Sequence, residues 1–192
     1  MNIRLVSIAS LILFGSQFSI AQRFCNHMRM HQQMAVNNTL DPRADTFDVI
    51  SYDINASFLE YESKKKIDAT TTLKIALLKP VTTVTLDLLG LVVDEVLVNG
   101  RPAGFEYTSP SLRITLPALA AADTFSVAVK YNGSPQEDAQ WGGFYFTGEY
   151  AFNMGVGFAS DPHNFGRVWF PCFDNFTDRA FYYTNITVDI GK

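Results

Sequence analysis

The chain has 192 residues, 47% of them hydrophobic and 14% aromatic, enough apolar side chain for the core of one domain. Its formal net charge is −4 with no basic stripe, which excludes the electrostatic footprint of a nucleic-acid binder. Two cysteines, Cys25 and Cys172, exclude a disulfide scaffold; both read as free thiols, Cys172 as a small buried filler.

Residues 1–21 have the layout of a secretory signal peptide. One cation, Arg4, precedes an apolar run from Leu5 to Phe14, and Ser19 and Ala21 supply the small residues of a cleavage site. The run falls short of the ~20 residues of a spanning helix. The expectation is export to the periplasm or the extracellular space. Residues 22–45 are a polar, methionine-rich leader, and 46–192 form one β domain.

From Thr46 onward the period is two. Ile50, Tyr52, Ile54, Ala56 and Phe58 alternate with Ser51, Asp53, Asn55 and Ser57, the pattern of a half-buried strand. The charged stretch Glu60 to Lys66 turns the chain into a second strand. There Ile67, Ala69, Thr71, Leu73, Ile75 and Leu77 share one side. Val84, Leu86 and Leu88 mark a third strand. Val92, Val96 and Val98 mark a fourth, which runs into the hairpin dipeptide Asn99-Gly100. Leu112, Ile114 and Leu116, and then Phe125, Val127, Val129 and Tyr131, give two more. The last strand, Phe181 to about Ile190, sets Tyr182, Thr184, Ile186, Val188 and Ile190 on one face and reads as buried. No window after residue 21 carries a helical stripe of useful length. The fold class is all-β, an antiparallel sandwich or folded sheet.

Chemistry-bearing residues are sparse. His27 and His31 stand four apart, but Met28 occupies the position where His-Glu-x-x-His needs its carboxylate. Adding Cys25 gives Cys-x-His-x3-His in the same leader, with no third ligand pattern beyond it. His163 lies in a loop punctuated by Asp161-Pro162 and Asn164-Phe165-Gly166. Asp161, Asp174 and Asp178 read as turn and cap residues in an aromatic loop. Five Asn-x-Ser/Thr patterns, at Asn37, Asn55, Asn132, Asn175 and Asn185, are too short to carry weight. The residues compose no catalytic set and no metal site. The block from Trp141 to Phe176 is dense in aromatics and glycine. It reads as a second core layer with a long connection, or as a platform for peptide or carbohydrate.

Within that block, "RVWFPCFDNFTDRAFYYTNITV" resembles a segment of the aminopeptidase N family of zinc metallopeptidases, the gluzincin aminopeptidases that include leukotriene A-four hydrolase. Arg167, Phe170, Pro171, Cys172, Phe173, Asp174, Ala180 and Phe181 match it. "GGFYF" at 142–146, "ISYDINASF" at 50–58 and "VDEVLVNGR" at 93–101 resemble further elements of the same amino-terminal domain. The resemblance implies an all-β, saddle-like sheet with Arg167, Phe170, Pro171, Cys172, Phe173 and Asp174 as a structural motif. It also implies that zinc and the His-Glu-x-x-His helix belong to a thermolysin-like catalytic domain absent from these 192 residues. This chain then supplies no catalytic residue and no metal ligand. Its partners are that catalytic domain and the peptide substrate whose cleft it helps to shape.

Two departures stand out. The family reads Asp-Glu-Pro where this chain has Asp174-Asn175-Phe176. The family also places a Gln or Glu before the Phe-Pro-Cys segment to hold the substrate's amino group, and here the nearest amide is Asn153. The alternative reading is a stand-alone exported β-sandwich that binds peptide, glycan or a partner protein through the aromatic block.

Overall fold

The computed structural model describes residues 41–119, 121–161 and 163–190. The signal peptide, most of the leader, Cys25, His27 and His31 lie outside them.

The alternating segments form strands as their period dictates. β1 (Phe47–Ser57) and β2 (Ile67–Leu77) make an antiparallel hairpin across the four-residue helix α1 (Tyr61–Lys64). The residues flanking α1, Glu60 and Lys65, both take left-handed backbone. β3 (Thr83–Asp87) follows, then β4 (Val92–Val98) and the short β5 (Arg101–Pro102). At the β4–β5 turn Asn99 and Gly100 have φ of 51° and 72°, the positive values a tight hairpin requires. β6 (Phe105–Thr108), β7 (Ser111–Thr115), β8 (Thr124–Gly133), β9 (Gly142–Thr147), β10 (Tyr150–Gly157) and β11 (Phe181–Thr187) complete the chain.

Six strands form the main sheet in the order β11-β1-β2-β8-β4-β5, three form a second, β3-β7-β6, and β9 and β10 pair alone. The inward positions of the two larger sheets fall into one cluster of buried side chains, including Tyr52, Leu73, Ile75, Leu86, Ile114, Val127 and Tyr131. Each fully buried aliphatic of this kind contributes roughly 1.5–3 kcal/mol through apolar burial. One buried polar pair is matched within the cluster: Thr71 Oγ1 and Tyr131 OH lie 3.0 Å apart, a diagonal pair on neighbouring strands.

Three details depart from the alternation. Ile50 is an extra residue between Val49, opposite Ile75, and Ser51, opposite Lys74. The bulge shifts the phase, so Val49 is buried and Ile50 only half-buried. A second irregularity between Val93 and Glu95 leaves Val92 exposed while Val96 and Val98 stay buried. The last strand pairs with β1 in parallel, from Ser51 opposite Phe181 to Ser57 opposite Thr187. The main sheet is therefore mixed, because the long connection that carries β3–β10 brings the chain back in the same direction as β1. β11 ends at Thr187 as an edge strand with every residue exposed. Its apolar side chains stay largely uncovered among the described residues, although Tyr182 meets the rings of Tyr52 and Phe170.

Candidate functional site

The aromatic block forms the β9–β10 hairpin and a motif that locks it to the sheets. Gly142 (φ 114°) and Gly143 (φ 84°) let β9 start in close contact with backbone: a Cβ at Gly142 would stand 2.1 Å from the Val156 carbonyl. The Asp138 carboxylate accepts from the backbone N–H of Gln140 (2.9 Å), Trp141 (3.0 Å) and Ala159 (3.0 Å). It thereby clamps the segment before β9 to the segment after β10. Partial burial raises this carboxyl's pKa, but the amide donors outweigh it and hold the group below the usual value.

Aromatic contacts carry the hairpin into the core. Phe144 stacks on Phe58 with centroids 5.8 Å apart and contacts Trp169 at 6.3 Å. Trp169 meets Phe170 edge-on at 4.9 Å, and Phe170 meets Tyr52 at 5.6 Å. Between β10 and β11 these rings floor a groove of about 400 Å³, lined among others by Phe58, Phe144, Tyr150, Phe152, Trp169 and Ile186. Its rim is exposed: Tyr150, Phe152, Ile186 and Val188 all present large apolar area to solvent. The hydroxyl of Tyr61 on α1 donates to the Glu149 carbonyl at the hairpin tip.

The Phe-Pro-Cys-Phe-Asp motif is the anchor of this arrangement. Arg167 Nη1 donates to Asp174 Oδ2 at 2.8 Å, with the Asp174 side chain 7% exposed. Asp174 also accepts from the Gly166 N–H at 3.1 Å. Cys172 exchanges backbone hydrogen bonds with Asp87 at the end of β3, and the Asp174 N–H donates to Asp87 Oδ2 at 3.0 Å. Arg43 braces the other side of Asp87, donating to its Oδ1 at 2.9 Å and lying 4.8 Å above the Phe173 ring. Phe170, Pro171, Cys172 and Phe173 are buried. Cys172 is a buried free thiol whose pKa burial pushes well up, as expected of a packing residue.

The remaining sequence candidates are polar structure. Asn153, half-buried on the groove wall, accepts from the Gly155 N–H through Oδ1 at 3.0 Å. His163 is exposed and its Nδ1 faces the Ser160 carbonyl at 2.6 Å. Asp178 accepts from the Tyr52 hydroxyl at 3.2 Å. Asn175, at the departure from Asp-Glu-Pro, accepts from Thr177 N and Oγ1 at 3.0 Å each; the turn is an Asx-turn, and Phe176 is left 65% exposed. Among the described residues no group of three or more His, Cys, Asp or Glu side chains is placed to hold a metal ion. Cys25, His27 and His31 lie outside those residues.

Arg43, Asp87 and Tyr52 were not legible as motif partners, since Arg43 lies in the turn before β1, Tyr52 on β1 and Asp87 on β3. Asp138 carries the turn signal of an Asp ahead of Trp141-Gly142-Gly143.

Neither a protein-family profile nor a curated protein matches the sequence. Solved structures match the fold. The M1 zinc metallopeptidase of Deinococcus radiodurans superposes with a TM-score of 0.67 at 24% identity, over 76% of this chain and 33% of its own. A form of that enzyme bound to a Tyr-Ser-Ala substrate gives 0.66 at 24%, over 74% and 33%. Leukotriene A4 hydrolase from Saccharomyces cerevisiae gives 0.53 at 18%, over 76% and 24%. The chain spans about a third of the length of the Deinococcus enzymes or less. It has the all-β fold of the amino-terminal part of the M1 zinc metallopeptidases.

Proposed function

We propose that this chain is the non-catalytic amino-terminal domain of an exported zinc metallo-aminopeptidase-like protein. In this reading the groove and the exposed aromatics of β10 and β11 pack against a thermolysin-like domain. Zinc, its ligands and the general base belong to that domain, and the β9–β10 hairpin walls one side of a peptide cleft. The contribution of this chain is geometric: a rigid sheet holds the hairpin in register with chemistry performed elsewhere. Export rests on the signal-peptide layout of residues 1–21.

The observation that carries the reading is the surface joining Tyr150 and Phe152 of β10 to Ile186 and Val188, in a domain that spans a third of its structural neighbours. Contiguous exposed aromatics of this kind mark an interaction surface. The test is to read the coding sequence beyond Lys192. A His-Glu-x-x-His within the next couple of hundred codons supports the proposal. A stop codon at that point shifts the balance to the stand-alone binding module, which the apolar groove alone favours.

A further inference from the structure

The sequence holds two Asn-Gly dipeptides, Asn99-Gly100 and Asn132-Gly133. Asparagine is a chemically labile residue, and most so before glycine, where no Cβ keeps the next backbone nitrogen away from the asparagine Cγ. The two pairs have the same intrinsic chemistry, and the fold treats them differently.

Asn99-Gly100 is the exposed two-residue turn between β4 and β5, with φ of 51° and 72°. A Cβ at Gly100 would meet nothing within 4 Å, so the turn has open space around it. The Gly100 N–H donates to no acceptor among the described residues, which leaves it open to solvent base. The carboxamide is held in place: Asn99 Oδ1 accepts from the Ser126 N–H at 3.0 Å, while the Asn99 N–H donates to the Ser126 carbonyl at 2.9 Å. A backbone donor on that oxygen stabilises the negative charge it gains when Cγ is attacked. Arg101, the next residue, is a cation and favours an amide anion at Gly100.

Asn132-Gly133 is confined. Asn132 lies inside β8, opposite Asp68 of β2 and Val92 of β4, and Gly133 faces Ile67. Pairing on both sides resists the backbone rotation that would carry the Gly133 nitrogen to Cγ. A Cβ at Gly133 would already stand 3.1 Å from the Leu91 side chain. Asn132 Nδ2, the leaving group, donates to both Asp94 carboxylate oxygens at 3.0 and 2.8 Å. That carboxylate opposes an amide anion beside it.

We propose that Asn99 is a site of spontaneous modification, deamidating to a mixture of aspartate and isoaspartate, while the fold protects Asn132. The Gly100 nitrogen loses its proton to solvent base and bonds to Asn99 Cγ. The Cγ–Nδ2 bond breaks, and the nitrogen takes a proton from water and leaves as ammonia. Water then opens the succinimide at either carbonyl, and the chain gains one negative charge. Isoaspartate adds a methylene to the backbone of a two-residue turn, which unseats the Val98–Arg101 pair at the edge of the main sheet. None of the contacts that decide between the two sites involves the chain beyond Gly133, so the inference is independent of the catalytic-domain reading.

The test is incubation of the 192-residue protein at alkaline pH, folded and in urea. Peptide mapping reads the one-dalton gain at each asparagine, and labelling with an isoaspartyl methyltransferase reads the isoaspartate. Folded, Asn99 converts at least about tenfold faster than Asn132. In urea the two rates converge, because both are then the same dipeptide on an unfolded chain. Circular dichroism at each early time point verifies that the sheets are intact in the folded sample. Equal rates in the folded protein, faster conversion at Asn132, or a folded Asn99 that stays intact while it converts in urea overturns the proposal. So does a gap that persists in urea, which would trace the preference to the flanking residues instead of the fold.

Discussion

The hydroxyl of Tyr52 accepts the Phe173 N–H at 3.1 Å and donates to Asp178 at 3.2 Å. A fully buried tyrosine of β1 thus satisfies the backbone of the Phe-Pro-Cys-Phe-Asp motif more than a hundred residues later in the chain. Tyr52→Phe keeps the ring and its stacking on Tyr182 but orphans a buried N–H. The expected cost is about 1–3 kcal/mol, read as a fall of roughly 2–4 °C in Tm per kcal/mol. A melting point within a degree of the parent would show that the phenol is not the motif's tether.

Asp178 gives a pH signature with a definite sign. Burial holds its carboxyl above the usual value, nearby Asp48 adds to this, and the Tyr52 hydroxyl with the Val49 and Arg179 N–H groups offsets part. A carboxyl whose pKa is higher in the folded than in the unfolded state binds more protons when folded, so its contribution to stability falls as pH rises through that window. Asp178→Asn removes this dependence. The stability difference between variant and parent is expected to move in the variant's favour from about pH 3 to about pH 7. Urea titrations at both ends of that range check it, and a difference moving the other way refutes the assignment.

The Arg167–Asp174 pair is worth more than an exposed ion pair, because Asp174 also caps the Gly166 N–H and its side chain is nearly buried. Asp174→Ala leaves a largely buried guanidinium without its partner. A loss of about 3 kcal/mol is expected, against less than 1 kcal/mol for removing the exposed Lys79–Asp45 contact. Equal losses in chemical denaturation would mean that the motif is not an anchor.

Much of this architecture is written in the sequence, and what escapes has physical causes. Strict alternation marks β1, β2, β7 and β8 because each has one face in the core, and Asn99-Gly100 marks its turn because few residues tolerate positive φ. The phase slips at Ile50 and Asp94 leave no trace in composition, since a bulge is one extra residue whose pairing is decided by the neighbouring strand. β11 looks like core because burial and an uncovered apolar edge share one pattern. The β9–β10 hairpin was hidden for a related reason: Phe144 packs on Phe58 and Trp169 while Tyr150 and Phe152 stay exposed, so aromatics fall on buried and exposed positions alike. For the site, Arg167 to Asp174 was readable as a motif, whereas its partners Arg43, Tyr52 and Asp87 are set by topology.

Two glycines on neighbouring turns separate close approach from simple turn geometry. A Cβ at Gly142 would meet the Val156 carbonyl at 2.1 Å, whereas one at Gly148 (φ 56°) meets nothing within 4 Å. Gly142→Ala is expected to dislodge the hairpin and cost at least about 2 kcal/mol, and Gly148→Ala about 1 kcal/mol from left-handed backbone alone. Hydrogen exchange should show lost protection across β9 and β10 in the first variant only.

The groove itself permits a separation of binding from stability. Tyr150 and Phe152 are 70% and 43% exposed, so Tyr150→Ser and Phe152→Ser remove apolar rim while leaving the core untouched, with stability changes within about 0.5 kcal/mol. Trp169 floors the same groove and packs on Phe144 and Phe170, so Trp169→Ala is expected to cost about 2 kcal/mol or more. An apolar fluorescent dye titrated onto the folded protein should lose signal in all three variants. If the rim variants bind dye as the parent does, the exposed aromatics of β10 are not the sticky surface, and the docking role proposed for this face loses its support.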